Sequence, residues 1–281
     1  MKVLVTGGGG MLGRDVALAA RDVGHEPIVL THADLDIGDR AAVEQACIEH
    51  YPGAVVNCAA WTNVDGAEEH LGEAQDVNGR GAGNVAAAAA AVGASVVYPS
   101  SDYVFDGQKE AGYVESDPVG PLSAYGMSKL AGERETAAAN ERHWIVRSSW
   151  LFGVNGRNFV DTMLGLGQDR EEVIVVRDQI GCPTYTGHLA AGLVRLLDGD
   201  AYGVHHMAGG GRCSWYDFAV EIFSQAGLEC RVLSMTSDML DRPAPRPPYS
   251  VLLSEREHPV LLPDWHEGLA DYLAERAEVS A

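Results

Sequence analysis

Met1-Lys2-Val3-Leu4-Val5-Thr6-Gly7-Gly8-Gly9-Gly10-Met11-Leu12-Gly13 opens the chain, and its reading decides the fold. Val3–Thr6 is a short apolar run without polar alternation, the pattern of a strand covered on both faces of a parallel sheet. Glycines Gly7, Gly10 and Gly13 follow in the spacing G-x-x-G-x-x-G, and Met11–Val23 continues with helical character. Glycine permits the unusual turn such a junction needs. It also lets a dinucleotide pyrophosphate approach the backbone at the positive helix N-terminus. A flexible turn would explain the glycines alone; their place at the first strand–helix junction favours the nucleotide.

Outward from this stretch the alternation repeats. Apolar runs at Pro27–Leu30, Ala54–Ala60, Ser95–Pro99 and His143–Ser148 are separated by helical segments at Asp39–His50, Asn78–Val92 and Ser123–Asn140. The six alanines Ala86–Ala91 read as a helix packed close to the sheet. Strand–helix alternation with right-handed crossovers predicts an α/β fold, a Rossmann-type doubly wound parallel sheet. Beyond residue 148 the pattern loosens, with Gly153, Asn155 and Gly156 and later Pro243, Pro245, Pro247 and Pro248. Residues 1–148 are therefore expected to form the dinucleotide-binding domain, completed by part of 177–206. Residues 149–281 are expected to form mainly a smaller substrate-binding region over the C-terminal edge of the sheet.

Composition narrows the classes. Of 281 residues, 46% are hydrophobic and 21% charged, ordinary for a globular protein. Forty acidic against twenty basic side chains leave a net charge of −20. That field repels polyphosphate backbones, so nucleic-acid binding is disfavoured, and an anionic ligand needs a local cluster of donors. The five cysteines (Cys47, Cys58, Cys182, Cys213, Cys230) are widely spaced with no C-x-x-C pair, which fits a reducing compartment rather than disulfides or zinc. His205-His206 and His266-Glu267 match no metal-ligand spacing, and no metal is expected. No apolar stretch approaches the ~20 residues of a membrane span, and no charged-then-apolar leader precedes the first strand. A cytoplasmic protein without membrane contact is the expectation. Lys109–Glu110 and Asp169–Glu172 read as solvated turns, and the acidic cluster Asp65, Glu68, Glu69 and Glu73 as a helix surface.

Only three of the twenty basic residues are lysine, Lys2, Lys109 and Lys129. Yet Tyr125-Gly126-Met127-Ser128-Lys129 places one four residues after a tyrosine on a predicted helix, where the two share a face. The plain alternative is a helix-surface pair of no consequence. As an acid–base unit the pair makes sense, because a tyrosine of reference pKa ~10 is brought toward working pH by an ammonium that stabilises its phenolate. Lysine also has the reach for a ribose hydroxyl. Upstream, at the end of the fourth strand, lies Ser100-Ser101-Asp102-Tyr103-Val104-Phe105. A Ser101 hydroxyl there stands at the sheet edge where open α/β proteins bind ligands, placed to hydrogen-bond a carbonyl that Tyr125 protonates. The tip of the second strand reads Leu30-Thr31-His32, with Asp34 and Asp36 only later, and Arg14 follows the last glycine. This leans the cofactor toward NADPH, with NADH open.

Glycine loop, strand-end serine and Y-x-x-x-K in this order resemble the extended short-chain dehydrogenase/reductase family. Ser101–Phe105, Tyr125-Gly126 through Lys129, Arg147-Ser148-Ser149-Trp150, Asn158-Phe159, Asp178–Thr184 and Arg242-Pro243 are similar to its dTDP-4-dehydrorhamnose reductase branch. The resemblance implies hydride transfer from a nicotinamide cofactor to C4 of a dTDP-linked 4-keto-6-deoxyhexose. The implied reaction converts dTDP-4-dehydro-β-L-rhamnose to dTDP-L-rhamnose, or acts on a sister deoxysugar. Tyr125 would donate the proton, Lys129 would lower its pKa and bind the nicotinamide ribose, and Ser101, usually threonine in the family, would polarise the keto oxygen. Gly7, Gly10, Met11, Leu12, Gly13, Asp36, Ile37, Ala59, Ala60 and Trp61 would complete the cofactor site. Asp102 and Trp150 would line the sugar pocket, and Arg242 would counter the diphosphate. Pro248-Tyr249-Ser250 departs from the asparagine-serine pair that ends this stretch in the family. A homodimer is the assembly the resemblance leaves open. Dehydratases of the superfamily carry Asp–Glu after the active hydroxyl, whereas Asp102 is followed by Tyr103; epimerases typically have a small residue at that place. A non-catalytic NADP-binding regulatory subunit, as in methionine adenosyltransferase, shares the fold, but the intact Ser101, Tyr125 and Lys129 favour an enzyme.

Overall fold

The computed structural model describes residues 1–280. Its centre is a six-stranded parallel sheet of β1 (Lys2–Thr6), β2 (Glu26–Leu30), β3 (Ala54–Asn57), β4 (Ser95–Ser101), β5 (His143–Ser148) and a last strand, Gly203–His206. The last strand lies outside β5, and the order runs inward through β4 and β3 to β1 and β2. The winding reverses at β1, so a crevice opens at the C-terminal ends of β1, β3 and β4. The sheet is the doubly wound one expected from the alternation, and it draws its last strand from the second half of the chain.

Continuous apolar strands are what two covered faces require. Val3 and Val5 of β1 point into one cluster with Val16, Ala20, Val56, Val97, Trp144, Leu189 and Leu193. Leu4, between them, points into the other with Leu35, Val43, Val55, Val85, Ala86, Ala89 and Val96. Each such side chain fully removed from water stabilises the fold by about 1.5–3 kcal/mol. Helices Met11–Asp22, Arg40–His50, Ala82–Ala91 and Ala124–Ala139 cover the faces. Two boundaries differ from the sequence reading. β3 stops at Asn57, where the Thr6 hydroxyl donates to Asn57 Oδ1 at 2.6 Å, and Cys58–Ala60 leaves the sheet into the crevice. The helix expected over Asn78–Val92 begins as a π-helical turn, Asp76–Gly81.

The second half builds its own core of Phe152, Val160, Phe218, Ile222, Leu269 and Tyr272 among helices Phe159–Asp169, Trp215–Ala226 and Trp265–Ser280. The turn expected at Asp169–Glu172 is shorter than read. Asp169 ends a helix, and Glu172 opens the β-branched strand Glu172–Val176, which pairs in parallel with Arg231–Met235. Lys109, at the other expected turn, forms an ion pair with Asp117. The Pro-rich segment 242–256 runs back across the first half as a strap, with Leu253 N donating to Tyr113 O at 2.8 Å. Among the described residues no helix is long and apolar enough to cross a membrane.

Candidate active site

Gly7 turns with φ +63°, and a Cβ on it would stand 2.4 Å from Ala59 N. A Cβ on Gly13 would stand 2.5 Å from Gly7 O. The loop can therefore lie against the end of β3 only with glycine at both places. Gly10 precedes helix Met11–Asp22, whose first turn carries no acidic residue. Gly9 and Gly10 are exposed, leaving an open, positively polarised N-terminus that fits a dinucleotide pyrophosphate. Met11 and Leu12 follow half-buried. Ala59, Ala60 and Trp61 continue from the point where Ala59 meets Gly7, all half-buried. Ile37 is buried and packs on Gly81, whereas Asp36 is exposed and accepts from Gly38 N at 2.8 Å. Asp34 folds back to the tip of β2 and accepts from Thr31 N and Oγ1 at 2.9 and 2.6 Å. Arg14 reaches Asn155 Oδ1 at 3.5 Å.

Tyr125 and Lys129 stand in the first turns of helix Ala124–Ala139. Ser123 caps it, accepting from Gly126 N at 3.1 Å, and Glu68 Oε1 accepts from Ala124 N at 2.9 Å. The acidic cluster expected as plain surface is thus partly structural, because the first helical N–H groups need acceptors and Glu68 supplies one. Asp65, from the same cluster, takes a bidentate ion pair from Arg246, the nearer contact 2.8 Å. Asn78, fully buried in the π-helical turn, ties the site together. Its Oδ1 accepts from Trp61 N at 2.9 Å, and its Nδ2 donates to Trp61 O at 3.0 Å and to Ser128 Oγ at 2.9 Å. The segment after β3 and the tyrosine–lysine helix are therefore fixed to each other by one side chain.

Ser101 ends β4, in register with Ser148 of β5. Its Oγ accepts from Tyr103 N at 3.1 Å and donates to Asp102 Oδ1 at 3.0 Å, and it lies against the Tyr125 phenol. Asp102 is buried, and its Oδ2 accepts from Ser250 Oγ at 2.6 Å. Trp150, two residues past Ser148, adopts φ +49° and stacks on Trp215 with centroids 3.6 Å apart. That backbone is costly for a non-glycine residue, and such strain gathers at functional sites. Arg242 is exposed on the strap, close enough to Asp65 and Tyr103 to act on both. Ser101, Asp102 and Tyr125 thus meet at the end of β4, Lys129 reaches Pro99 O of the same strand, the glycine loop abuts Ala59 past β3, and Arg242 stands near Tyr103.

The electrostatics reverse one expectation. Burial pushes the Tyr125 phenol up to about 12, the Asp102 charge adds to the rise, and the Ser101 hydrogen bond only partly offsets it. Lys129 Nζ donates to Pro99 O at 2.7 Å and lies 4.2 Å from the Tyr98 ring centroid. Burial lowers Lys129 itself to about 7, against the favourable charge of Glu133. Glu133 is in turn held by Arg147, whose Nε and Nη2 donate at 2.9 and 2.8 Å, and by Ser100 Oγ at 2.6 Å. Asp102 is raised by burial to about 6, with Ser250 and Ser101 holding it down. An unassisted buried carboxylate would rise further.

The family model described as RmlD substrate binding domain matches residues 1–278. The chain belongs to the dTDP-4-dehydrorhamnose reductase family. It is similar to the spore coat polysaccharide biosynthesis protein SpsK of Bacillus subtilis, 41% identical over 278 residues and 98% of each chain. Among solved structures it is similar to a dTDP-4-dehydrorhamnose reductase of Clostridium acetobutylicum, with TM-score 0.95, 43% identity and coverage of 98% of this chain and 99% of that one. A Bacillus anthracis dTDP-4-dehydrorhamnose reductase in complex with NADP gives TM-score 0.95 at 38% identity, with the same coverage. This reductase family member is accordingly an NAD(P)H-dependent oxidoreductase acting on dTDP-linked 4-keto-6-deoxyhexoses. Two features of its site escaped the sequence reading, and a third, Ser250, was given no role by it. Asn78 is a lone amide among small residues and gives no local signal. The Asp65–Arg246 pair spans 181 positions. Ser250 figures there only within Pro248-Tyr249-Ser250, the stretch that departs from the family's asparagine-serine pair.

Proposed function

We propose that this protein reduces the C4 keto group of dTDP-4-dehydro-β-L-rhamnose to give dTDP-L-rhamnose, with NADPH as reductant. The observation that carries this reading is the convergence of Ser101, Asp102, Tyr125 and Lys129 opposite a glycine loop that fits a dinucleotide. Residues 1–148 then supply most of the cofactor site, with Gly7, Gly10, Met11, Leu12 and Gly13 at the pyrophosphate. Asp36 and Ile37 stand on the adenosine side, and Ala59, Ala60 and Trp61 beside the nicotinamide half. Residues 149–281 supply the sugar-nucleotide side with Trp150 and Arg242. A bound NAD(P)H supplies the hydride to C4. Tyr125 keeps its proton at neutral pH because burial raises its pKa, and it gives that proton to the C4 oxygen as negative charge develops there. Ser101, held in place by Asp102 and Tyr103 N, turns its single hydroxyl proton from Asp102 Oδ1 to the same oxygen and lowers the cost of that charge. Lys129 holds the ribose and, when protonated, offsets the phenolate that remains. Asp102 takes a sugar hydroxyl.

NADPH is favoured by the Bacillus anthracis relative's complex with NADP and by Arg14 beside the loop. The Asp34 carboxylate at the tip of β2 opposes a 2′-phosphate, so the preference is modest. A sister 4-keto-6-deoxyhexose reductase is the second reading, favoured by Tyr249. That residue stands where the family has asparagine and accepts from Arg212 Nη1 at 2.7 Å. The deciding experiment follows loss of nicotinamide absorbance with dTDP-4-dehydro-β-L-rhamnose, with NADPH and NADH in parallel. Turnover to dTDP-L-rhamnose supports the first reading. Turnover only with another dTDP-4-keto sugar moves the assignment to the second.

A further inference from the structure

The Ser101 hydroxyl meets the Tyr125 phenol and offsets part of the rise that burial causes. Serine lacks the γ-methyl that restricts threonine, so its orientation depends on the bonds it makes. Those are the acceptance from Tyr103 N and the donation to Asp102 Oδ1 at 3.0 Å. The second bond is directional only as long as the carboxylate itself stays put. Asp102 Oδ2 is held at 2.6 Å by Ser250 Oγ, which arrives from the strap, 148 positions away. Ser250 is itself fixed and 1% exposed: its N–H donates to Ile180 O at 2.9 Å, and Tyr113 N donates to the neighbouring Val251 O at 2.8 Å. The hydroxyl therefore reaches the carboxylate from an anchored backbone.

We propose that Ser250 is a positioning residue for the reduction: it orients the Asp102 carboxylate, which holds the Ser101 hydroxyl beside Tyr125. The strap thereby joins the catalytic hydroxyl pair through one hydrogen-bonded chain, Ser250 to Asp102 to Ser101. The inference rests on the reading given under the proposed function. Without Ser250, Asp102 Oδ2 is a buried acceptor lacking its partner, a state that favours protonation or rotation of the carboxyl. Rotation takes the acceptor away from Ser101, and protonation weakens it.

Titration isolates the effect, since burial places the Asp102 midpoint near 6. The groups facing it are Tyr125 from the catalytic helix, Tyr103 from its own turn and Cys182 from the segment after Ile180–Gly181. Burial holds all three in their protonated forms well past neutrality. Arg242 and Arg246 stand beyond Tyr103 and remain cationic throughout. Lys129, lowered to about 7, titrates in the same crevice, so the Asp102 carboxyl resonance, rather than the rate profile alone, reports Asp102.

The test compares wild-type protein with Ser250→Ala, with fold checked by thermal melting and cofactor binding by nicotinamide fluorescence. Turnover is measured across pH, and Asp102 is titrated by carbon-13 carboxyl resonance, assigned by its loss in Asp102→Asn. Ser250→Ala should lower kcat about tenfold to a hundredfold, the scale of a misplaced catalytic group, with KM for NADPH unchanged. The Asp102 midpoint should rise by about half a pH unit or more, and the acidic limb of the rate profile should move with it. Wild-type kcat in Ser250→Ala overturns the inference, whatever the midpoint does. So does a lower kcat with an unmoved midpoint, which marks simple packing loss. Should Ser250→Ala fail to fold, Ser250→Cys keeps the volume with a weaker donor and takes its place. If the wild-type protein reduces no dTDP-4-keto sugar, the functional reading fails. The titration then decides alone: a raised midpoint supports the Ser250–Asp102 coupling, and an unmoved one overturns it.

Discussion

Tyr125 differs from Phe by one hydroxyl, which makes it the cleanest residue at which to separate chemistry from architecture. Tyr125→Phe should keep the edge-on contact with the Tyr103 ring, 5.6 Å between centroids, and retain cofactor affinity. Turnover should fall ~10²–10⁴-fold, the usual worth of general acid catalysis; a variant at wild-type rate ends the assignment. Lys129 allows a test of sign. Its pKa lies lowered at about 7 because burial disfavours the ammonium, so the charge that the proposed mechanism gives to the phenolate and the ribose is lost as pH rises through that value. The kcat/KM of the free enzyme should therefore show an alkaline limb near 7, read from initial rates between pH 5.5 and 9. Lys129→Arg, cationic across that range, should be slower and lack the limb. A limb unchanged in Lys129→Arg would belong to another group.

At the scale of elements, the strap is what joins the two halves around the crevice. Its best-defined tether is the Arg246–Asp65 ion pair, bidentate, with the Arg246 side chain 11% exposed and Asp65 38%. Ala244 N also donates to Asp65 Oδ1 at 3.2 Å. Exposed ion pairs are worth 0–1 kcal/mol, while bidentate, partly buried ones are stronger. A denaturation cycle over Asp65→Ala, Arg246→Ala and the double variant should return a coupling of about 1–2 kcal/mol; additivity within error would mean the strap is held by its other contacts. This tether shows where sequence reading runs out. Elements were legible because their signals are local. Val3–Thr6 and Ser95–Pro99 are continuous apolar runs, and Asp39 and Ser123 are caps that accept from Ala42 N and Gly126 N. The crevice was legible because glycine at 7 and 13 has a steric reason. Asp65 and Glu68 read as surface because their partners, Arg246 and Ala124 N, lie 181 and 56 positions away. Tyr125's pKa direction was misread for the same reason: the spacing to Lys129 fixes a shared helix face, but the burial that raises the phenol is set by packing from distant parts of the chain.

Across the whole molecule the excess of twenty negative charges acts against compaction, since like charges brought together on folding repel. The buried Arg147–Glu133 pair, its side chains 5% exposed each, is little affected by salt, whereas the surface field is screened beyond ~10 Å at 0.1 M ionic strength. Raising NaCl from 10 mM to 300 mM should therefore raise the melting temperature, by about 2–4 °C for each kcal/mol of repulsion removed. KCl should act alike, because screening is not specific to the ion. The same field faces the substrate, a dTDP-sugar anion, which on the proposed reading reaches Arg242 through a negative potential. Screening should thus speed productive encounter, and kcat/KM for the sugar nucleotide should rise over the low-salt range, opposite to the slowing expected of a site steered by a positive surface. Stopped initial rates at limiting substrate, with the cofactor saturating, measure this directly. A kcat/KM that falls from the first addition of salt would mean that the local arginines, not the global charge, govern capture.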